Sequence, residues 1–340
     1  MLKGIGQFVI VAAVCACAVT ASAVNIETVT VGNPGNAGDT RYPSGGVPSF
    51  GRVRYTYQMG KYDVTAGQYT AFLNAVAGVD TYGLYTTYMW SGSTGCKIER
   101  YIGDGTPGNP YHYRVANDWA NRPVNYVSWG DAARFANWLY NGQPTGPQGL
   151  ATTEDGSYYL NGATSDAALM AVTRKANATW AIPTEDEWYK AAYYDPAKPG
   201  GAGYWDYPTR SNTVPSNVLD PNGTNNANFF NNGYTIGAPY FRTEVGAFAA
   251  SPGAYGTYDQ GGNVFQWNEA NTVGSYRGLR GGMFYGGEVN LHASGGYDDS
   301  PTVEYSGIGF RVSEVPEPTS MAILALGGVG MLVRRRGLGR

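Results

Sequence analysis

Between Val53 and Met59 the apolar residues Val53, Tyr55, Tyr57 and Met59 alternate with Arg54, Thr56 and Gln58. That is the period of a strand with one buried face. The period then lengthens. Tyr69, Phe72, Leu73 and Val76 recur at helical spacing, and Thr65 precedes them as an N-cap with Gln68 three residues on, which predicts a capping box. A second helix is expected to open at Ser128, with Asp131 at its third position near the positive end of the helix dipole, and to bury Ala132, Phe135, Ala136 and Leu139. A third opens at Thr184, where Glu187 completes a capping box and Pro183 faces Trp188 as a hydrophobic staple. Capping is therefore the expected role of Asp131 and Glu187, rather than acid catalysis. The stripe of the first helix reads as core, not as a cofactor box.

Two further apolar runs lie at the ends. Lys3 is followed by Phe8 through Ala13 and then by Ala21-Ser22-Ala23, the small-x-small pattern that a signal peptidase accepts, so residues 1–23 are expected to be a cleaved leader and Val24 the mature start. A lipoprotein reading around Val14-Cys15-Ala16-Cys17 fits less well, because Cys15 would stand just before the lipidated position and no Leu stands close upstream of it. At the other end, residues 314–340 hold Pro316-Glu317-Pro318, an uncharged run over 321–333, and Arg334-Arg335-Arg336. A permanent span needs about 20 apolar residues, so the run suits a transient inner-membrane anchor whose arginines stay cytoplasmic. In that order the three features resemble the PEP-CTERM sorting signal of Gram-negative bacteria. The resemblance implies processing by an exosortase and delivery to the cell surface or extracellular matrix.

Between these ends, residues 24–313 are enough for one large domain. Only 14% of the residues are charged and the net charge is −3, so no basic face points to nucleic acid. With 49 Gly and 28 Tyr, the composition suits a loop-rich, aromatic-studded extracellular domain. Loss of the leader removes Cys15 and Cys17 and leaves Cys96 alone, so no intramolecular disulfide can form, and Cys96 itself is expected to be a half-buried small residue.

The helical segments also carry a second resemblance. Tyr62-Asp63-Val64-Thr65 with Gln68-Tyr69 and Phe72-Leu73-Asn74, Arg122-Pro123-Val124-Asn125 through Trp129 with Trp138-Leu139, and Ile182-Pro183-Thr184-Glu185 with Glu187-Trp188 are followed by Tyr258-Asp259 with Gly262-Asn263-Val264 and Trp267. Leu279-Arg280-Gly281-Gly282 and Gly309-Phe310-Arg311-Val312 complete the series. In this order, over residues 50–313, the blocks resemble the formylglycine-generating enzyme, or sulfatase-modifying factor, family. The resemblance implies an α+β sulfatase-modifying-factor fold related to C-type lectins, loop-rich with little regular secondary structure.

Members of that family oxidise a substrate cysteine with molecular oxygen, using copper held by two thiolates beyond the Arg-Gly-Gly block. Carried across by spacing, those positions are Gly286 and Leu291, and neither can bind a metal. The neighbouring serine position holds Met283, and Phe265 replaces a tryptophan of the Gly-Asn block. A related iron-binding branch needs paired imidazoles, whereas His112 and His292 are far apart in sequence. Neither copper nor iron is expected. Glu269, Glu288, Asp298 and Asp299 are loop acids without a paired-carboxylate signature.

The family's Gly-Asn block binds calcium. Matched by position, the ligands would be Asp259, the carbonyls of Gly262 and Val264, and Gln266, with an acid gained at 259 where a glutamate is lost at 266. Asn228 resembles a ligand of a second family calcium site, although its acidic partner falls at Gly237. The alternative is that Asp259 to Asn263 form only a tight turn. Two functions stay open: a non-catalytic surface module binding polysaccharide or another envelope component, served by the aromatic loops Tyr82–Trp90 and Tyr111–Trp119, or an oxidoreductase of the family with a non-standard site.

Overall fold

The computed structural model describes residues 23–272 and 274–316. The leader segment 1–22 and the sorting residues Glu317, Pro318, 321–333, Arg334, Arg335 and Arg336 lie outside the described residues. All three expected helices form, as Ala66–Val76, Trp129–Tyr140 and Glu185–Tyr193. Each is opened by its capping box: the side chains of Thr65, Ser128 and Thr184 accept from the backbone N–H of Gln68, Asp131 and Glu187, whose side chains accept in return from the cap. Local side-chain chemistry thus satisfies N–H groups that the helix cannot bond itself.

The strand expected over Val53–Met59 is shorter than its pattern. It runs Tyr57–Gly60, because the backbone of Val53 is bonded elsewhere: its N–H donates to Asn36 Oδ1 at 3.3 Å and its carbonyl accepts from Gly35 N–H at 2.7 Å. Val53, Tyr57 and Met59 are buried all the same. In the first four-stranded sheet the order is Thr28–Val31, Tyr57–Gly60, Ser313–Glu314, Trp180–Ala181, with Met59 between Val29 and Ser313. The two ends of the domain therefore close one sheet.

A second sheet holds Tyr297–Asp299, Tyr276–Arg280, Phe265–Thr272 and Ile308–Gly309; the first three are antiparallel and the last pair is parallel. The first two helices enclose an aromatic core between them. Tyr69, Phe72, Phe135, Trp138 and Phe310 meet at ring distances of 5.2 to 6.4 Å. Each such pair contributes about 0.5–1.5 kcal/mol beyond the area it buries. The chain is α+β and rich in loops, with regular elements that are short except for these helices and the Phe265–Thr272 strand. Among the described residues no helix is long and apolar enough to cross a membrane.

Candidate functional site

The Gly-Asn block forms a tight bend, with Asp259, Gly262 and Asn263 all at positive φ. Gly262 must be glycine, because a Cβ there would stand 2.1 Å from the carbonyl oxygen of Asn228. Asn263 N–H donates to that same carbonyl at 2.8 Å, so the block is tied to Asn228. Asn228 Nδ2 donates to Asn263 Oδ1 and to Phe241 O, while its buried Oδ1 has no partner. Gly237 is exposed and offers no carboxylate.

Asp259 Oδ2 accepts from Gly246 N–H at 2.6 Å, and Gln266 Nε2 donates to Asp259 O at 2.8 Å. Gln266 Oε1 accepts from Trp188 Nε1 at 2.7 Å and from Arg311 Nε at 2.6 Å, so it faces a guanidinium. Arg311 is fully buried, and its Nη2 donates to Asp63 Oδ1 at 3.0 Å and to Tyr258 O at 2.8 Å. Asp63 is the residue the sequence left unassigned. Its Oδ2 is buried without a partner, and burial together with the nearby Asp259 pushes its carboxyl well up in spite of Arg311. Burial raises Asp259 to about 6. Two carboxylates thus share one cation, and the unsatisfied Asp63 oxygen suits a hard, oxygen-seeking ion such as calcium.

The positions matched to copper ligands have other surroundings. Gly286 is buried, and a Cβ there would meet Asn290 Oδ1 at 2.7 Å. Leu291 is fully buried among Tyr207, Ala227 and Phe229. Phe265 stacks on Tyr297 with ring centroids 5.5 Å apart. His112 is exposed, whereas His292 sits edge-on between Tyr42 and Tyr207. Cys96 is fully buried, deeper than expected, and burial pushes its thiol up. Among the described residues no three His, Cys, Asp or Glu side chains converge as a metal site.

The acids near the domain's end have separate tasks. Glu269 belongs to a network with Arg174, Glu187, Tyr55 and Tyr158. Asp299 Oδ1 accepts from Ser300 N–H, and Glu288 opens a single 3-10 turn. Asp298 lines a cleft of about 610 Å³ between the second sheet, the start of the third helix and the Ser44–Phe50 loop. Facing it are Glu185, Asp186, Asn271, Arg280 and Tyr297, the last 54% exposed. Arg280 Nε donates to Glu185 Oε1 at 2.6 Å, Asn268 Nδ2 donates to Glu185 Oε2, and Gly51 N–H donates to Asp186 Oδ1 at 2.7 Å. Burial raises the Asp186 carboxyl. Helix-start acids explain Glu185 and Asp186 at the sequence level; their convergence on Tyr297 and Asp298 has no local signal.

The aromatic loops are split between core and surface. Leu84, Tyr85, Met89, Tyr113 and Trp119 turn inward, while Tyr88 is 60% and Trp90 45% exposed.

Burial raises the capping Asp131 to about 6, against its Ser128 hydrogen bonds and Arg134, and burial followed by the nearby Asp131 raises Glu304 to about 8. An acid whose folded pKa exceeds its unfolded value, roughly 4, binds its proton more tightly when folded. Its contribution is complete below pH about 4 and is lost as pH rises, first through about 6 and then through about 8. Glu187 works in the opposite sense: Arg174 overcomes the effect of burial and holds it below its usual value, so its contribution is lost as pH falls. Melting curves across this range should show stability declining towards alkaline pH, and Glu304→Gln should flatten that decline. An unchanged slope in the variant would assign the decline to other groups.

With the geometry described, comparison with known proteins places the chain. A model of the sulfatase-modifying factor enzyme 1-like domain matches residues 24–315, and a PEP-CTERM protein-sorting motif matches residues 314–336. Among solved structures the chain is similar to Treponema denticola variable protein 1 (20% identity, TM-score 0.48, covering 87% of this chain and 98% of that one). It is also similar to CarF (21%, 0.48, 86% and 99%) and to PvdO from Pseudomonas aeruginosa (18%, 0.42, 86% and 92%). No curated protein matches it. The sorting motif implies export, membrane-associated sorting in Gram-negative bacteria and processing by an exosortase. The family match spans the whole described domain, and the chain therefore belongs to the sulfatase-modifying factor enzyme 1-like family, here joined to a PEP-CTERM sorting tail.

Proposed function

We propose that this domain is a non-catalytic binding module, displayed at the cell surface or in the extracellular matrix after signal-peptidase and exosortase processing, and that it binds polysaccharide. The observation that carries this reading is the cleft of about 610 Å³, within the usual size range for ligand sites. Tyr297 offers a flat apolar face, and Asp186, Asn271, Arg280 and Asp298 supply polar edges suited to sugar hydroxyls. Gly286 and Leu291 at the copper positions argue against the family's oxidase chemistry. Affinity electrophoresis against exopolysaccharides should show retardation of the purified chain, and Tyr297→Ala should weaken binding about tenfold or more, a cost of about 1.4 kcal/mol. Equal binding by the variant would remove the cleft from the reading.

The same domain is proposed to hold one structural calcium, with Asp63 joining Asp259 and the carbonyls of Gly262 and Val264. Gln266 would support the site through Asp259 O rather than as a ligand. Calcium at a hundred times its dissociation constant adds about 2.7 kcal/mol, so a chelator should lower the melting temperature by several degrees. Elemental analysis of the same sample separates the two functional classes. Stoichiometric copper or iron would favour an oxidoreductase with a non-standard site.

A further inference from the structure

Among the described residues Arg280 is the one cation that lines the cleft of about 610 Å³, and its charge is already matched. Its Nε donates to Glu185 Oε1 at 2.6 Å, and its Nη1 donates to the carbonyls of Ala293 and Gly295 at 3.0 and 2.5 Å. The guanidinium lies 5.1 Å from the centres of both the Phe50 and the Tyr189 rings. The second oxygen of Glu185 accepts from Asn268 Nδ2 at 2.6 Å. The Arg280–Glu185 pair is therefore closed and neutral.

Two further carboxylates line the cleft, and both are half-buried. Asp298 stands opposite Gly278 from the edge strand Tyr297–Asp299. Arg280 follows Gly278 by two residues, so strand alternation puts Asp298 and Arg280 on one face of the sheet. Arg280 is held by Glu185, and among the described residues no cation pairs with Asp298. Asp186 comes from the start of the helix Glu185–Tyr193, where Gly51 N–H donates to its Oδ1 at 2.7 Å. Burial raises the Asp186 carboxyl, against the N–H groups of Gly51 and Arg52, and the charges that act on it, Glu185 and Glu187, are both acidic.

Three acids against one guanidinium leave the cleft with an excess of two negative charges, facing apolar Val47 and Phe50 on the loop. Low-dielectric walls concentrate such a field, so the cleft attracts cations and repels anions. A uronate polymer would meet like charge there. A neutral sugar would leave both carboxylates without a counter-charge.

We infer that the cleft takes a polysaccharide bearing free primary amino groups, with the ammonium held by Asp186 and Asp298; this rests on the polysaccharide reading of the same cleft. An ammonium carries three donors and no acceptor, so it suits two carboxylates and supplies the missing charge. N-acetylation of the same sugar removes that charge.

Isothermal titration of the purified chain at about pH 6, with the amines protonated, tests the inference. The probes are the glucosamine trimer, its fully N-acetylated form, trigalacturonate, free glucosamine and trilysine. The glucosamine trimer should bind at one site per chain, at least tenfold tighter than its N-acetylated form, and more weakly as salt is raised. Trigalacturonate should not bind there. Asp298→Asn and Asp186→Asn should each weaken the glucosamine trimer about tenfold, the order expected for one charge-assisted hydrogen bond, and leave the N-acetylated form unaffected. The amide in Asp186→Asn keeps an acceptor for Gly51 N–H, and near-ultraviolet circular dichroism shows that both variants are folded. Equal affinity for the two glucosamine trimers overturns the amine and leaves the polysaccharide reading standing; no binding by any trimer overturns both. Free glucosamine binding as tightly as the trimer, or trilysine binding more tightly, overturns the polysaccharide in favour of a small amine or a basic peptide. Full affinity in both folded variants overturns the placement in this cleft.

Discussion

Replacing Arg174 with methionine should destabilise the domain by about 3–5 kcal/mol, the cost of leaving a buried charge uncompensated. Arg174 Nη1 and Nη2 donate to the two oxygens of Glu187 at 2.9 Å each, and its Nε donates to Glu269 Oε1 at 2.8 Å. Glu187 is fully buried and also accepts from Tyr55 Oη at 2.5 Å. Methionine fills much of the arginine's volume but removes the only cation that pairs with these acids among the described residues. Urea denaturation measures the loss. Combining Arg174→Met with Glu187→Gln should recover a large part of it, because glutamine preserves the capping box with Thr184 while removing one stranded charge. A loss below about 1 kcal/mol for the single variant would mean that water solvates the pair, as at an exposed ion pair.

Arg311→Met should be as costly, and it should also change the response to calcium. The Arg311–Asp63 pair is fully buried on both sides. Removing the cation strands Asp63 and leaves Asp259 without its nearest positive charge, while Gln266 Oε1 keeps only Trp188 as a donor. The expected loss is about 3–5 kcal/mol without added metal. If calcium binds these carboxylates, it now supplies the missing charge, so the gain in melting temperature on adding calcium should be larger in the variant than in the parent chain. Differential scanning calorimetry with and without calcium measures both quantities. A variant that loses stability without any calcium response would place the ion elsewhere or nowhere.

Asp63 and Gln266 show where legibility ended. The Gly-Asn block, read by position, located Asp259 and the glycine whose contact with Asn228 forbids a side chain. It did not reveal that Gln266 Oε1 would be engaged by Arg311 and Trp188, nor that Asp63, nearly 200 residues earlier, would bring a second carboxylate. The aromatic loops illustrate the same limit. Tyr85 and Tyr88 lie three residues apart in one loop, yet one is in the core and the other at the surface. No periodicity separates them, because neither lies in a long regular element.

What the sequence by itself determined was local or colinear. Three helix starts were legible because a capping box is written within four residues, and the family and sorting blocks were legible because their order along the chain is the signal. The tertiary structure alone decided which buried charges meet. Arg311 finds Asp63 across 248 positions, Arg174 finds Glu269 across 95, and Arg242 pairs with no carboxylate among the described residues. A charged side chain carries no mark of its partner in its own neighbourhood. Its partner is fixed by which surfaces the core packing brings together, and in a low-dielectric interior that proximity sets the energy.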